Sequence, residues 1–113
     1  MKTEEPTTKY YHFNQNNSGG YFIEDDKNGI CSDVIIEAFN IADAKDRFEK
    51  IGENVSGMNH YCSCCGERWS PEYMDEDDGR EFPHIYGAPM TKRMFRDYVY
   101  IHHVDGKFER VEL

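Results

Sequence analysis

The chain has 113 residues, a length that fits one domain with a small core. Aromatic residues make up 14% of it, too many for a disordered chain, and 22 acidic against 13 basic residues leave a net charge of −9. That balance argues against direct nucleic-acid binding, which needs a basic face, and suits a basic protein partner, an acidic DNA mimic or a merely solvated surface.

Residues 1–9 are polar and read as a flexible N-terminus, leaving 10–113 as a single domain. Residues 10–15 alternate and are rich in aromatics, as a strand should be. Asn16-Asn17-Ser18-Gly19-Gly20 is a turn cluster, and 21–24 resume as a second strand, so the start reads as a β-hairpin. After a turn at 25–29, the β-branched run Val34-Ile35-Ile36 marks a third strand within 31–39.

The clearest helix covers about 41–51. Asn40 is a suitable N-cap, Asp43 sits at N3, and Gly52 stands where a terminating glycine belongs. Ile41, Ala44, Phe48 and Ile51 form one apolar stripe that should face the sheet. Residues 53–70 read as irregular and 71–83 as an exposed acidic loop. Asp75-x-Asp77-x-Gly79 hints at calcium, but Arg80 at the glycine position and Tyr86 at the terminal glutamate position of an EF-hand starting at Asp75 argue against it.

Residues 90–96 suggest a short helix. Residues 98–104 alternate again, Asp105-Gly106 is a hairpin turn, and 107–113 return as a strand whose register is open between a two-residue turn and a three-residue turn with a bulge. His102 and His103 fall on opposite faces. The expected fold class is α+β: a small, mostly antiparallel sheet of about five strands, one main helix and a zinc-knuckle-like loop.

That loop carries the one motif with specific chemistry, His60-Tyr61-Cys62-Ser63-Cys64-Cys65-Gly66. Cys62-x-x-Cys65-Gly66 has the spacing at which a tight turn aims two thiolates at one metal ion. Zinc is the expected cofactor, and the remaining ligands are to be sought among His60, Cys31, Cys64 and the more distant histidines. A redox pair and free thiols are the competing readings. A redox pair would open a helix, which Gly66-Glu67-Arg68-Trp69 followed by Pro71 does not suggest. No run of about 18 apolar residues occurs, so no membrane-spanning helix is expected. The start lacks the apolar segment of a signal peptide, which makes a cytoplasmic location the expectation.

A second candidate constellation is the aromatic–amide start. Tyr11 and His12 could stack a base, and Asn14 and Asn17 could read its edges, as in a nucleotide-binding sponge. Arg68 and Trp69 are residue types favoured in protein-contact hot spots, although Trp69 reads slightly better as a cap on the small core.

The segments Tyr10-Tyr11-His12-Phe13-Asn14-Gln15-Asn16-Asn17-Ser18-Gly19-Gly20 and Cys62-Ser63-Cys64-Cys65-Gly66-Glu67-Arg68-Trp69, with Val34-Ile35-Ile36-Glu37-Ala38 between them, resemble a group of short tailed-bacteriophage proteins of unassigned function. The resemblance covers residues 10–69. It implies a phage accessory protein in the host bacterial cytoplasm that binds a host protein. A small nucleotide-like ligand is the alternative, a homo-oligomer is compatible with either, and a thiol or zinc enzyme is the least favoured reading.

Overall fold

In the computed structural model the described residues are 7–15, 23–55, 61–62, 66–67, 69, 71, 74–85, 87–89 and 98–113. The aromatic alternation of the first segment produces strand β1 (Lys9–Asn14), which pairs antiparallel with β2 (Asp33–Ala38) from Lys9↔Ala38 to Asn14↔Asp33. The expected hairpin partner is therefore corrected: Ile23 and Glu24 are not in a strand, and 16–22 lie outside the described residues. Two features favour the longer-range pairing. Val34, Ile35 and Ile36 are all fully buried, which suits a strand covered on both faces. Buried Gln15 then occupies the main chain around Ile23, donating from Nε2 to the carbonyls of Ile23 (3.0 Å) and Cys31 (3.2 Å). The bonding of this strand reaches back before residue 10, since Lys9 opens β1 and the Thr8 hydroxyl donates to Glu37 (2.6 Å).

Helix α1 (Ile41–Gly52) begins as the sequence predicts. The Asn40 side chain accepts from Asp43 N (2.8 Å), and Asp43 Oδ2 accepts from Phe39 N (3.1 Å). Its end differs. Gly52 lies inside the last turn and Glu53 caps it in a right-handed conformation. Asn54 N and Val55 N donate to Ile51 O and Gly52 O, a tightened turn that carries Val55 into the core.

The chain then forms two short hairpins. β3 (Tyr61–Cys62) pairs with β4 (Gly66–Glu67), and β5 (His84–Ile85) with β6 (Ala88–Pro89). The first falls in the segment expected to be irregular, and the second just beyond the expected acidic loop. The expected helix at 90–96 lies outside the described residues.

β7 (Tyr98–His102) pairs in parallel with β2, and β8 (Phe108–Glu112) pairs antiparallel with β7. The parallel pair needs a long crossover, which α1 and the segments after it supply. The sheet order is β1-β2-β7-β8, a mixed four-stranded sheet with two antiparallel pairs flanking one parallel pair. The final hairpin takes the three-residue form: Gly106 N donates to His103 O, His103 N to Lys107 O, and Gly106 has φ +90°, so Phe108 faces His102 across the ladder.

Both sheet faces are covered. Ala44 and Phe48 of α1, with Ile30, Val55 and Trp69, pack on Tyr11, Phe13, Val34, Ile36 and Ala38. On the opposite face Ile85 packs with Ile35, Val99 and Ile101. A turn closed by Asp25 and Ile30 joins the first face; Gly29 there has φ +69°, and a Cβ on it would lie 2.8 Å from the rings of His102 and Phe108.

Candidate functional site

The densest set of chemistry-bearing side chains sits where β1 and β2 begin and end. Cross-strand register places Asn14 opposite Asp33 and His12 two residues away on the same face. His12 Nε2 lies 2.6 Å from Asp33 Oδ1, and Asn14 Nδ2 donates to the same oxygen (3.0 Å). Ser32 Oγ donates to Asp33 Oδ2 (3.2 Å). Asp33 is fully buried and His12 nearly so. His84 packs edge-on to His12, with ring centroids 6.2 Å apart. Its Nδ1 accepts from Gly87 N (2.8 Å), which leaves the proton on Nε2, donated to Tyr10 O (2.9 Å). Burial holds the His84 pKa below its usual value. These contacts make the cluster an internal polar brace between the sheet and the β5–β6 hairpin.

The residues expected to bind a ligand are distributed differently. Tyr11 is fully buried, its ring in the core under Gly79 and its hydroxyl donating to Glu76, so it offers no face for stacking. His12 is committed to Asp33, and Asn14 is partly buried beside it. Trp69 is a core residue, edge-on to Phe48 at 4.8 Å, with no hydrogen-bond partner for Nε1 among the described residues. Asn17 and Arg68 lie outside the described residues.

Among the metal candidates, Cys31 is buried and donates from Sγ to Asp33 O (3.1 Å); burial pushes its pKa up to about 11, so it is a thiol at neutral pH. Cys62 ends β3 opposite Gly66, the first residue of β4. The Cys62-x-x-Cys65-Gly66 motif thus begins on β3 and ends on β4. His60, Cys64 and Cys65 lie outside the described residues. No group of three or more metal-capable side chains occurs among the described residues.

What reaches solvent is acid. Asp75, Glu76, Asp77, Asp78 and Glu81 are all exposed. They are not on a loose loop. Glu76–Asp78 form one turn of 3₁₀ helix, and Asp75 and Asp78 cap it reciprocally. Glu76 accepts from the Tyr11 hydroxyl and from Ile41 N at the start of α1; the tyrosine first, then the amide, hold its carboxyl below the usual range. Arg80 exchanges backbone bonds with Tyr10 (2.7 and 3.0 Å).

One titrating contact clips the open end of the sheet. His103 reaches Glu109 on β8 (2.6 Å) and Glu37 on β2 (3.5 Å), with Tyr10 edge-on at 6.5 Å. The bond to Glu109 raises the His103 pKa above its usual value near 6.5. A raised folded pKa means that the stabilisation is complete below about 6.5 and is lost as pH rises through the folded value. Replacing His103 with Ala should therefore lower the melting temperature near pH 6 by a few degrees, reflecting about 0.2–1 kcal/mol, with a smaller gap near pH 9. Thermal melts of both proteins at the two pH values check this. His84, whose pKa burial lowers, titrates in both proteins and cancels in the difference, whereas His102, lowered by burial and further by the His103 charge, carries part of that difference.

The fold and site define a small α+β protein with an internally bonded polar brace and an exposed acidic turn. Over residues 8–112 the sequence matches the family described as Domain of unknown function (DUF7296), and the chain belongs to that family. No curated protein and no solved structure matches the chain. No described helix is long and apolar enough to cross a membrane.

Proposed function

We propose that the chain is a small accessory protein that acts by binding a basic surface of a protein partner through its acidic turn at 75–81. The observation that carries this reading is the construction of that turn. The carboxylates of Asp77 and Glu81 have no hydrogen bond or ion pair among the described residues, while the backbone of the turn is held by the reciprocal caps, by Glu76 on Tyr11 and Ile41, and by Arg80, which donates to Asp77 O (2.6 Å). A rigid array of unneutralised carboxylates loses little conformational freedom on binding and speeds encounter with a basic partner. Among the described residues, three histidines and the Cys31 thiol are engaged inside the fold: His12 with Asp33, His84 with Tyr10 and Gly87, His102 with Gly29, and Cys31 with Asp33. The resemblance to tailed-phage proteins makes a host bacterial protein the proposed partner.

The same reading includes a structural zinc ion, held by Cys62 and Cys65 with His60 and Cys64 as further candidate ligands. The ion would cross-link a segment flanked by Val55 and Trp69, both of which enter the core. The pairing of Cys62 with Gly66 supports it, because that hairpin brings the two ends of the motif together. Native mass spectrometry should find one zinc per chain, lost with chelator together with a drop in melting temperature. A metal-free protein with an unchanged melt would remove zinc from the proposal.

The binding reading is tested by capturing partners from bacterial lysate on the immobilised chain at low and high salt. A partner held at low salt, released at high salt and lost with Asp77→Lys/Glu81→Lys is expected. Capture that ignores both salt and the double substitution would overturn it.

A further inference from the structure

The two edges of the four-stranded sheet differ. At the β1 edge, Arg80 exchanges backbone hydrogen bonds with Tyr10 and occupies the position a further strand would take. At the β8 edge no described residue pairs with the strand, and Phe108, Glu109, Arg110 and Glu112 are exposed. The His103–Lys107 bond sets the alternation of the β7–β8 ladder. Counting from it, the 101–109 and 99–111 rungs bond inward. The N–H and C=O groups of Phe108, Arg110 and Glu112 therefore point away from the sheet. Such a row is a template for another strand.

We propose that β8 is a self-association edge, at which a second copy of this chain pairs antiparallel about a two-fold axis through Val111. A two-fold axis perpendicular to the sheet keeps every side chain on its own face, so only residues of the same face can oppose each other. Centring on Glu109 sets Glu109 against itself and Phe108 against Arg110. Centring on Arg110 brings two guanidiniums together and sets Phe108 against Glu112. Centring on Val111 sets Arg110 opposite Glu112 twice and Val111 opposite Val111. Of these three registers, the last alone pairs opposite charges without opposing like ones.

Each group is already on the required face. Arg110 lies over the Tyr98 ring at 3.9 Å and donates from Nε to Glu112 of its own chain (2.6 Å). Val111 and Leu113 already pack against the Ile35, Ile85, Val99 and Ile101 cluster, which the second copy would extend. A pairing this short buries less than the roughly 1,200–2,000 Å² of a stable complex, so the dimer forms only at high protein concentration.

Sedimentation equilibrium of the full chain from about 10 μM to about 1 mM tests this. Concentration-dependent dimer is expected, abolished by Glu112→Arg and restored by Arg110→Glu/Glu112→Arg. Glu112→Pro, which removes an outward N–H and leaves the ladder to β7 intact, should also abolish it. Circular dichroism establishes that each variant is folded. A wild-type monomer throughout, as expected if the edge receives a different partner's strand, would overturn the proposal. So would a dimer indifferent to Glu112→Arg and Glu112→Pro, or a folded double variant that stays monomeric.

Discussion

Truncating Phe48 to Ala should cost about 3–5 kcal/mol, the range for emptying a buried aromatic site. Phe48 is the residue through which α1 holds the sheet. Its ring stacks on Phe13 of β1 with centroids 4.4 Å apart and planes 7° from parallel, and meets Trp69 edge-on at 4.8 Å. One substitution thus opens a cavity between helix, sheet and the segment after the β3–β4 hairpin. Native domains have only about 5–15 kcal/mol in total, so the variant should be partly unfolded at physiological temperature. Trp69 is the only tryptophan, so its fluorescence during urea denaturation reads the loss at the site itself. A loss below about 1 kcal/mol would show that α1 is held elsewhere.

Asp33→Ala should be nearly as damaging for a different reason. Asp33 is fully buried and accepts from His12, Asn14 and Ser32. Removing it takes away three hydrogen bonds at once, among them the one to the buried His12 ring, and breaking a buried pair from one side typically costs about 3–5 kcal/mol. The loss should be similar at low and high salt, because the pair is shielded from solvent. Urea midpoints of the two proteins check it, and a variant within about 1 kcal/mol of wild type would mean that the brace is dispensable.

Legibility in the sequence followed the range of the interaction. The Asn40 cap, the Ile41, Ala44, Phe48 and Ile51 stripe and the Asp105-Gly106 turn act within a few residues and were readable directly. β1 was readable as a strand, but its partner was not. Val34–Ile36 and 21–24 both read as strands, and only burial of the former on both faces decides between them. The parallel pairing of β2 with β7 joins Val34 to Tyr100 and has no local signature.

The same holds for the site. His12 was conspicuous as a residue type, but its meaning depends on Asp33, which is 21 positions away and hidden at the head of an apolar run. Tyr11 looked like a stacking surface, and alternation alone did not reveal that its face lies toward α1. Glu76 read as one acid among many. Its contacts with Tyr11 and Ile41, which turn a loop into a fixed surface, cross 65 and 35 residues.

The acidic turn at 75–81 is the proposed binding surface. Its most direct test is capture from bacterial lysate with the wild-type chain beside Asp77→Lys/Glu81→Lys, two exposed positions whose side chains take no part in the caps that shape the turn. A partner retained by the wild type at low salt, released at high salt and absent from the variant is expected, with both proteins melting alike. The same partner held equally by both proteins, or none held by either, would contradict it.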